Sequence, residues 1–224
     1  MPTSYGQYCP VARASEILAE RWTPLIVRNL MFGAETFSDI ARGVPGMSRS
    51  MLVKRLEELE DAAIIARRPK ARGRGHIYRL SEAGAALGQV IAALSVWGER
   101  FIEVTTDHAN PAFALWAWSK VQLDHARLPE QRTVVAFTFP REPPSNRYYW
   151  LLAERHDAEL CYTHPGFDAD AEVVADSLAF VQWHRGKLRW RDALRAGSIK
   201  VSGRREVLRQ LPSWNLHAPR LPAR

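Results

Sequence analysis

Between Ala62 and Leu80 the chain carries Arg67, Arg68, Lys70, Arg72, Arg74, His76 and Arg79, and no acidic residue. The segment just before it, Ser48 to Leu59, adds Arg49, Lys54 and Arg55. Cationic side chains at this density suit a polyanion. Duplex DNA carries about one charge per 1.7 Å of axis, and each neutralised phosphate releases a counterion. A basic run on its own is usually a solvated face, so its setting decides the reading. Here Pro69, Gly73 and Gly75 interrupt the basic residues. They make a flexible hairpin tip, able to lay arginines along a phosphate backbone or into a narrow minor groove.

The flanking sequence supplies the elements that would position these groups. Val11, Ala14, Ile17 and Leu18 share one face of a helix expected from Val11 to Arg21. Thr23-Pro24 reads as the N-cap and first residue of a second helix, which carries Leu25, Ile26, Leu30 and Met31 and stops at Gly33. Thr36-Phe37-Ser38-Asp39 has the form of a capping box and opens a short helix with Phe37, Ile40 and Ala41 inward. Val44-Pro45-Gly46-Met47 is a turn. Ser48 caps the next helix, where Leu52, Leu56 and Leu59 form one buried stripe. Short helix, tight turn and second helix make a helix-turn-helix. Strands are expected from Ala63 to Arg67 and from His76 to Leu80, with the basic tip between them as a wing. Ser81 then caps a long helix from Glu82 to about Val104, and its Leu87, Ile91, Leu94, Gly98 and Phe101 make a seam for a partner helix.

The leucine stripe faces the core, so the DNA-binding candidates on its helix are Ser48, Arg49, Ser50, Lys54 and Arg55. Those of the wing are Arg68, Lys70, Arg72, Arg74 and His76. Phosphate contacts fix position, whereas contacts to base edges read sequence. The N-terminal N–H groups of the helix at Ser48 can also meet a phosphate.

Tyr8 to Phe101 resembles the HxlR-type family of bacterial winged helix regulators. The motifs that carry the likeness are Cys9-Pro10-Val11, Arg21-Trp22-Thr23, Phe37-Ser38-Asp39-Ile40, Pro45-Gly46-Met47-Ser48, Leu52 to Leu59, Tyr78-Arg79-Leu80-Ser81 and Trp97-Gly98, in order and at family spacing. The resemblance implies a homodimer on two-fold-related double-stranded DNA, joined partly through terminal helices. Two reading helices would then sit about one DNA turn, near 34 Å, apart. Cys9 matches a near-N-terminal cysteine that senses electrophiles or oxidants in some members, which makes it a candidate redox sensor. A sensing thiol needs access and a thiolate-favouring setting, and Arg13 lies one helical turn beyond. A small packing residue is the other reading of Cys9, and Cys161 reads as packing.

After Asn110 the pattern changes to strand-like runs and most of the tryptophans. Asn110-Pro111 caps a helix with Phe113, Leu115, Trp116, Trp118 and Val121. Strands are expected over Thr133 to Phe139, Tyr148 to Ala153, Ala158 to Thr163, Ala171 to Ala175 and Ser198 to Ser202. Helices are expected over Ser177 to His184, Arg191 to Ala196 and Arg204 to Leu211. The fold class is therefore α+β, with a winged helix-turn-helix domain over residues 1–106 and an α+β domain over residues 107–224. Gly186 to Leu211 resembles the sterol-carrier-protein-2-like (SCP2-like) fold. There a short helix, a glycine, a strand and a last helix close one side of an apolar cavity. The resemblance implies a site for a small hydrophobic effector. Trp150, Phe180, Trp183 and Trp190 fit a pocket lining or a core equally well.

His156, Asp157, His164, Asp168, Asp170, His184 and His217 fall in no HExxH, GxSxG or P-loop pattern. Asp168-x-Asp170-x-Glu172 lacks the glycine of an EF-hand loop, and His156-Asp157 reads as a turn. No catalytic residue, metal site or cofactor is expected. The net charge of +7 favours an anionic partner without choosing one. Two distant cysteines make no disulfide framework. The first ten residues lack the basic and apolar regions of a secretory signal, and no apolar run approaches the roughly 20 residues of a membrane span. A cytoplasmic transcriptional regulator, answering a hydrophobic effector or thiol modification, is the expectation. The alternative is a hydrophobic-ligand or lipid carrier that uses its winged helix only for assembly.

Overall fold

The computed structural model describes residues 4–155 and 157–216, which leaves the expectations for His156 and His217 outside the described residues. The chain divides into two compact units, Met1–Glu103 and Val104–Arg224.

The first unit contains α1 (Pro10–Leu18), α2 (Thr23–Met31), α3 (Phe37–Arg42) and α4 (Arg49–Asp61). The hairpin β1 (Ile65–Pro69) and β2 (His76–Leu80) follows, then α5 (Glu82–Ala86) and α6 (Gly88–Phe101). Side-chain caps start three helices: Thr36 Oγ1 accepts from the Asp39 N–H, Ser48 Oγ from the Met51 N–H, and Ser81 Oγ from the Gly84 N–H. Each satisfies a donor that the first helical turn leaves open. Ile26, Val27, Ile40, Leu52, Leu56, Leu59 and Ile65 form the interior. Buried Asn29 donates through Nδ2 to the Ile40 carbonyl at 3.0 Å, tying α2 to α3. Gly84 lets α5 pack directly on the chain entering β1, since a Cβ there would lie 2.1 Å from the Ile64 carbonyl oxygen.

Four boundaries differ from expectation. Helix α1 ends at Leu18 rather than Arg21 because the chain turns at Trp22, whose φ is 79°. Thr23 is not a side-chain cap: its N–H closes that turn onto the Glu20 carbonyl, and Trp22 takes the N-cap position. Ala63, with φ of 55°, ends α4, so β1 begins at Ile65 rather than Ala63. The long helix expected from Glu82 breaks at Leu87, whose N–H bonds to Gly84 three residues back instead of four.

The second unit contains α7 (Pro111–Ala117), a single π-turn (Trp118–Gln122), and the strands β3 (Thr133–Thr138), β4 (Tyr148–Glu154) and β5 (Asp157–Cys161). Then come β6 (Ala171–Ala175), α8 (Ser177–His184), α9 (Trp190–Arg195), β7 (Ile199–Gly203), α10 (Arg205–Gln210) and a 3-10 turn, Leu211–Trp214. The sheet order is β5-β4-β3-β6-β7, antiparallel throughout except for the parallel pair β3–β6. A three-stranded meander is thus followed by a crossover to its far side. One sheet face alternates inward through Tyr149, Leu151 and Ala153 of β4 and Ala171, Val173 and Ala175 of β6. On it pack Trp118, Phe137, Phe139, Phe180 and Trp183, each at most 2% exposed. Phe180 stands at their centre, with ring centroids of Trp118, Phe137, Phe139 and Trp183 at 5.3 to 6.0 Å. Trp150 and Trp190 are only half-buried.

Candidate nucleic-acid interface

Helix α4 is held to the core by Leu52, Leu56 and Leu59, each at most 2% exposed. At 100° per residue, that stripe turns Ser50 and Lys54 outward, and both are exposed. Ser48 spends its hydroxyl on the Met51 N–H and lies 3.2 Å from the Ser50 hydroxyl. Arg49 is exposed and its guanidinium stands 5.4 Å from the Phe37 ring centroid. Lys54 is exposed and approaches Glu58 at 3.8 Å, a loose pair that solvent screens. Arg55 differs from these. Its side chain is 13% exposed, and its guanidinium bridges Glu20 at 3.1 Å and Glu58 at 2.7 Å. The structure therefore brings Ser48, Arg49, Ser50 and Lys54 to one open surface and commits Arg55 to carboxylates on its flank.

The wing is set by its register, with Arg67 opposite Tyr78 and Arg68 opposite Ile77. Its tip closes through the Lys70 N–H to the Gly75 carbonyl at 3.1 Å. Gly73 and Gly75 have φ of 81° and 109°, left-handed values that a side chain would strain. Arg68, Lys70, Arg72 and Arg74 are exposed. Among the described residues none of the four is paired with a carboxylate. His76 sits lower, half-buried at the root, with Nδ1 3.2 Å from the Arg67 guanidinium. The root is anchored twice to the α2–α3 connection: Arg79 pairs with Glu35 at 2.9 Å, and the Tyr78 N–H donates to the Glu35 carbonyl. An isolated bridge from Thr36 to Ile77 adds a third strand position. An exposed, basic tip thus rises from an anchored base.

Three features of this surface escape a reading of charge alone. Val53 and Met51 are 44% exposed on either side of the polar face of α4. Their signal was apolar type outside the leucine stripe. Arg28, within the apolar run of α2, donates to the Gly43 carbonyl at 2.7 Å and to Asn29 Oδ1 at 2.8 Å. Burial lowers its pKa to about 10. It braces the helix-turn-helix from behind.

Cys9 is half-buried at the N-cap of α1. Arg13 does not serve it as a charge partner: its guanidinium turns one helical turn onward to Glu16. The other polar candidates are dispersed. His164 lies against the Trp150 ring, and buried His184 bonds through Nδ1 to Gln122 Oε1. Asp170 accepts from the Val134 N–H and from Arg204, both at 2.8 Å. Among the described residues no group of three or more His, Cys, Asp or Glu is placed to hold a metal ion.

Residues 17–106 match the family described as HxlR-like helix-turn-helix. The chain is 37% identical over 98 residues to the HTH-type transcriptional regulator YodB of Bacillus subtilis, a match spanning 42% of this chain and 87% of YodB. The chain belongs to the HxlR-like helix-turn-helix family. A second relative of this HxlR-like chain is an uncharacterised HTH-type transcriptional regulator of Mycobacterium tuberculosis, 39% identical over 93 residues. That match spans 41% of this chain and 58% of the mycobacterial protein. Among solved structures, the reduced form of YodB from B. subtilis is 34% identical with a TM-score of 0.38, covering 43% of this chain and 97% of that one. The oxidised form of the redox regulator HypR is 26% identical with a TM-score of 0.41, covering 43% and 100%. The HxlR-like match ends at residue 106 and leaves the five-stranded sheet outside it. Among the described residues no helix is long and apolar enough to cross a membrane.

Proposed function

We propose that this HxlR-like protein is a sequence-specific, double-stranded-DNA-binding transcriptional regulator that acts as a homodimer. The observation that carries the reading is the pairing of an open polar face on α4 with a wing tip of unpaired cations. Ser48, Arg49, Ser50 and Lys54 would meet base edges and phosphates in the major groove. Arg68, Lys70, Arg72 and Arg74 would follow the backbone or enter the minor groove. His76 would hold the wing root through Arg67. The dimer reading is supported by α1 and α6, neither of which buries a residue in the single chain. Tyr8, Val11, Leu94, Trp97 and Phe101 are all more than half exposed.

Binding to DNA from upstream of the protein's own gene, followed by gel shift and by anisotropy across a salt series, tests this reading. Arg72→Ala with Arg74→Ala should weaken binding to every sequence and lower the log–log salt slope by about 0.9 for each lost phosphate contact. Absence of specific binding at low salt, or a slope unchanged by the pair, overturns it.

The second unit is proposed as the effector unit. The run α9, Gly197, β7 and α10 supports the SCP2-like reading, as does one further detail of the interior. The indole N–H groups of Trp118, Trp183 and Trp214 are buried without an acceptor among the described residues. An apolar ligand bearing an oxygen acceptor would satisfy such donors, which each otherwise cost about 1–3 kcal/mol, once the aromatic cluster around them, at most 2% exposed in the structure, opens to admit it. Native mass spectrometry after gentle purification should show a retained apolar ligand. Repeated recovery of the bare chain alone counts against it. Cys9 remains a proposed thiol switch; Cys9→Ser should abolish any oxidant response of DNA binding, and a surviving response moves the sensor elsewhere.

A further inference from the structure

A cleft of about 620 Å³ opens in the first unit between α1, the start of α2 and the flank of α4. That lies within the usual range of small-ligand sites, roughly 300–1,000 Å³. Its walls invert the sign of the molecule. The chain carries +7, yet Glu16, Glu20, Glu58 and Asp61 line the cleft against Lys54 and Arg55. Ile17, Leu59 and Ala62 give it an apolar side.

Two polar groups on the lining are out of water and unanswered. Thr23 is 1% exposed, and its Oγ1 has no hydrogen-bond partner. The Nε of Arg55 is likewise buried without one. A buried hydroxyl with no partner costs stability that valine at the same position would not. The turn at Trp22, with φ of 79°, is what places Thr23 there. A left-handed turn at Trp22 thus sets the unpaired hydroxyl of the next residue on the lining of the cleft, and such strain persists where the surroundings over-determine it.

We propose that this cleft binds a small organic cation with an apolar body, an alkyl- or arylammonium compound, which takes the place of Arg55 on Glu20 and Glu58. The ammonium N–H groups would donate to those carboxylates and to Thr23 Oγ1, while the body lies on Ile17, Leu59 and Ala62. Glu16 is already held by the Tyr5 N–H, Ser4 and Arg13, so it adds field rather than a contact. Arg55, displaced, turns outward beside Lys54 and adds a cation to the face of α4 that meets DNA. Ligand and DNA then favour the same arrangement of one side chain, and the coupling between them is reciprocal. This coupling rests on the DNA-binding reading; the ligand site does not.

Benzylammonium chloride is the probe, titrated into the full chain by calorimetry, with benzoate at equal ionic strength as the charge-reversed control. Saturable binding of benzylammonium and none of benzoate is expected. Thr23→Val should keep or raise the thermal midpoint and weaken benzylammonium by about tenfold, the scale of one charge-assisted hydrogen bond. Glu20→Gln with Glu58→Gln, both on a partly exposed flank, should abolish it. Saturating benzylammonium should tighten binding to a DNA duplex by about threefold at fixed salt, one added phosphate contact's worth. Arg55→Ala should remove that gain while ligand binding stays. The proposal fails if benzoate binds equally, if no saturation occurs, or if binding survives the double Gln variant. A chain that binds benzylammonium but no DNA keeps the site and overturns the regulator reading. One that binds DNA and ignores benzylammonium overturns the site alone.

Discussion

The two units solve the same problem of apolar surface in opposite ways. The second unit closes its aromatic residues inward: Trp118, Phe137, Phe139, Phe180 and Trp183 are essentially inaccessible. The first unit buries the helix-turn-helix tightly but leaves α1 and α6 with apolar side chains open to solvent. On α6 the exposed Leu94, Trp97 and Phe101 recur at helical spacing with Trp97 and Phe101 in contact, and a grouped apolar face of this kind marks an interaction surface where scattered single residues would not. One unit is thus complete as a single chain. The other closes around its helix-turn-helix and leaves α1 and α6 open, as the proposed DNA-binding dimer would require.

The largest effect should come from opening the complete unit. Phe180→Ala removes the ring at the centre of four aromatic contacts. A loss of about 3–5 kcal/mol is expected, the range for deleting a buried aromatic side chain. Denaturant unfolding followed by tryptophan fluorescence should show an early transition for the second unit. DNA affinity measured below that transition should be unchanged. If DNA affinity falls in step with the early transition, the two units are not separable in the way their cores suggest.

The incomplete unit is tested by a charge on its open face. Trp97 is 56% exposed in the single chain and its ring lies tilted against Phe101 of the next turn, with centroids 5.8 Å apart. Trp97→Asp should cost the folded chain little, because a surface change away from caps and cores is usually worth within about 0.5 kcal/mol. It should nonetheless convert the dimer to monomer in sedimentation velocity. Specific DNA affinity should drop with it, since two half-sites are no longer held together. A monomeric wild-type chain, or a variant that stays dimeric, would remove the contrast drawn above.

Much of this division was legible in the sequence because it rests on local rules. The Leu52, Leu56 and Leu59 stripe, the Ser48 and Ser81 caps and the glycines of the wing each depend on neighbours within a turn or a hairpin. The second-unit elements beginning at Asn110, Ala171 and Ser177 were readable for the same reason. What local rules could not give was any partner far along the chain. Arg55 reads as a cation free for DNA until Glu20, 35 residues earlier, is seen beside it. Thr23-Pro24 reads as a capped helix start until Trp22 takes the left-handed turn. The break at Leu87 has Gly88 directly after it, but Gly88 continues straight into α6 without the left-handed φ of a helix-ending glycine, so residue type alone does not announce it. Trp150 and Phe180 look alike as aromatic residues in apolar runs; Trp150 lies half-buried at a position of β4 between the inward Tyr149 and Leu151, while Phe180 is carried into the core by α8. The sequence could not show Asp170 as a structural pin, because its partners Val134 and Arg204 lie 36 and 34 residues away.

That pin supplies the smallest effect and sharpens the comparison by pH. Burial alone would raise the Asp170 carboxyl, but the Val134 N–H and the Arg204 guanidinium outweigh it, and its pKa lies below the ordinary range. A carboxyl depressed on folding adds stability that is fully present above its unfolded pKa. The gain is lost as pH falls through the folded value. Gly203 sits against the same corner: a Cβ there would lie 2.4 Å from the Asp170 carbonyl oxygen. The edge strand β7 is therefore fastened to the sheet at the point where Asp170 titrates. Asp170→Asn keeps the shape and removes the titration. The thermal midpoint of the second unit should then fall modestly at neutral pH and become flatter than wild type in acid, between the ordinary carboxyl value and the lower folded one, where the unfolded chain takes up a proton that the native carboxylate refuses. Asp170 and its partners Val134 and Arg204 all lie in the second unit, so DNA affinity at neutral pH should be unmoved. An acid slope identical in the variant and the wild type would assign the pH response of the closed unit to some other group.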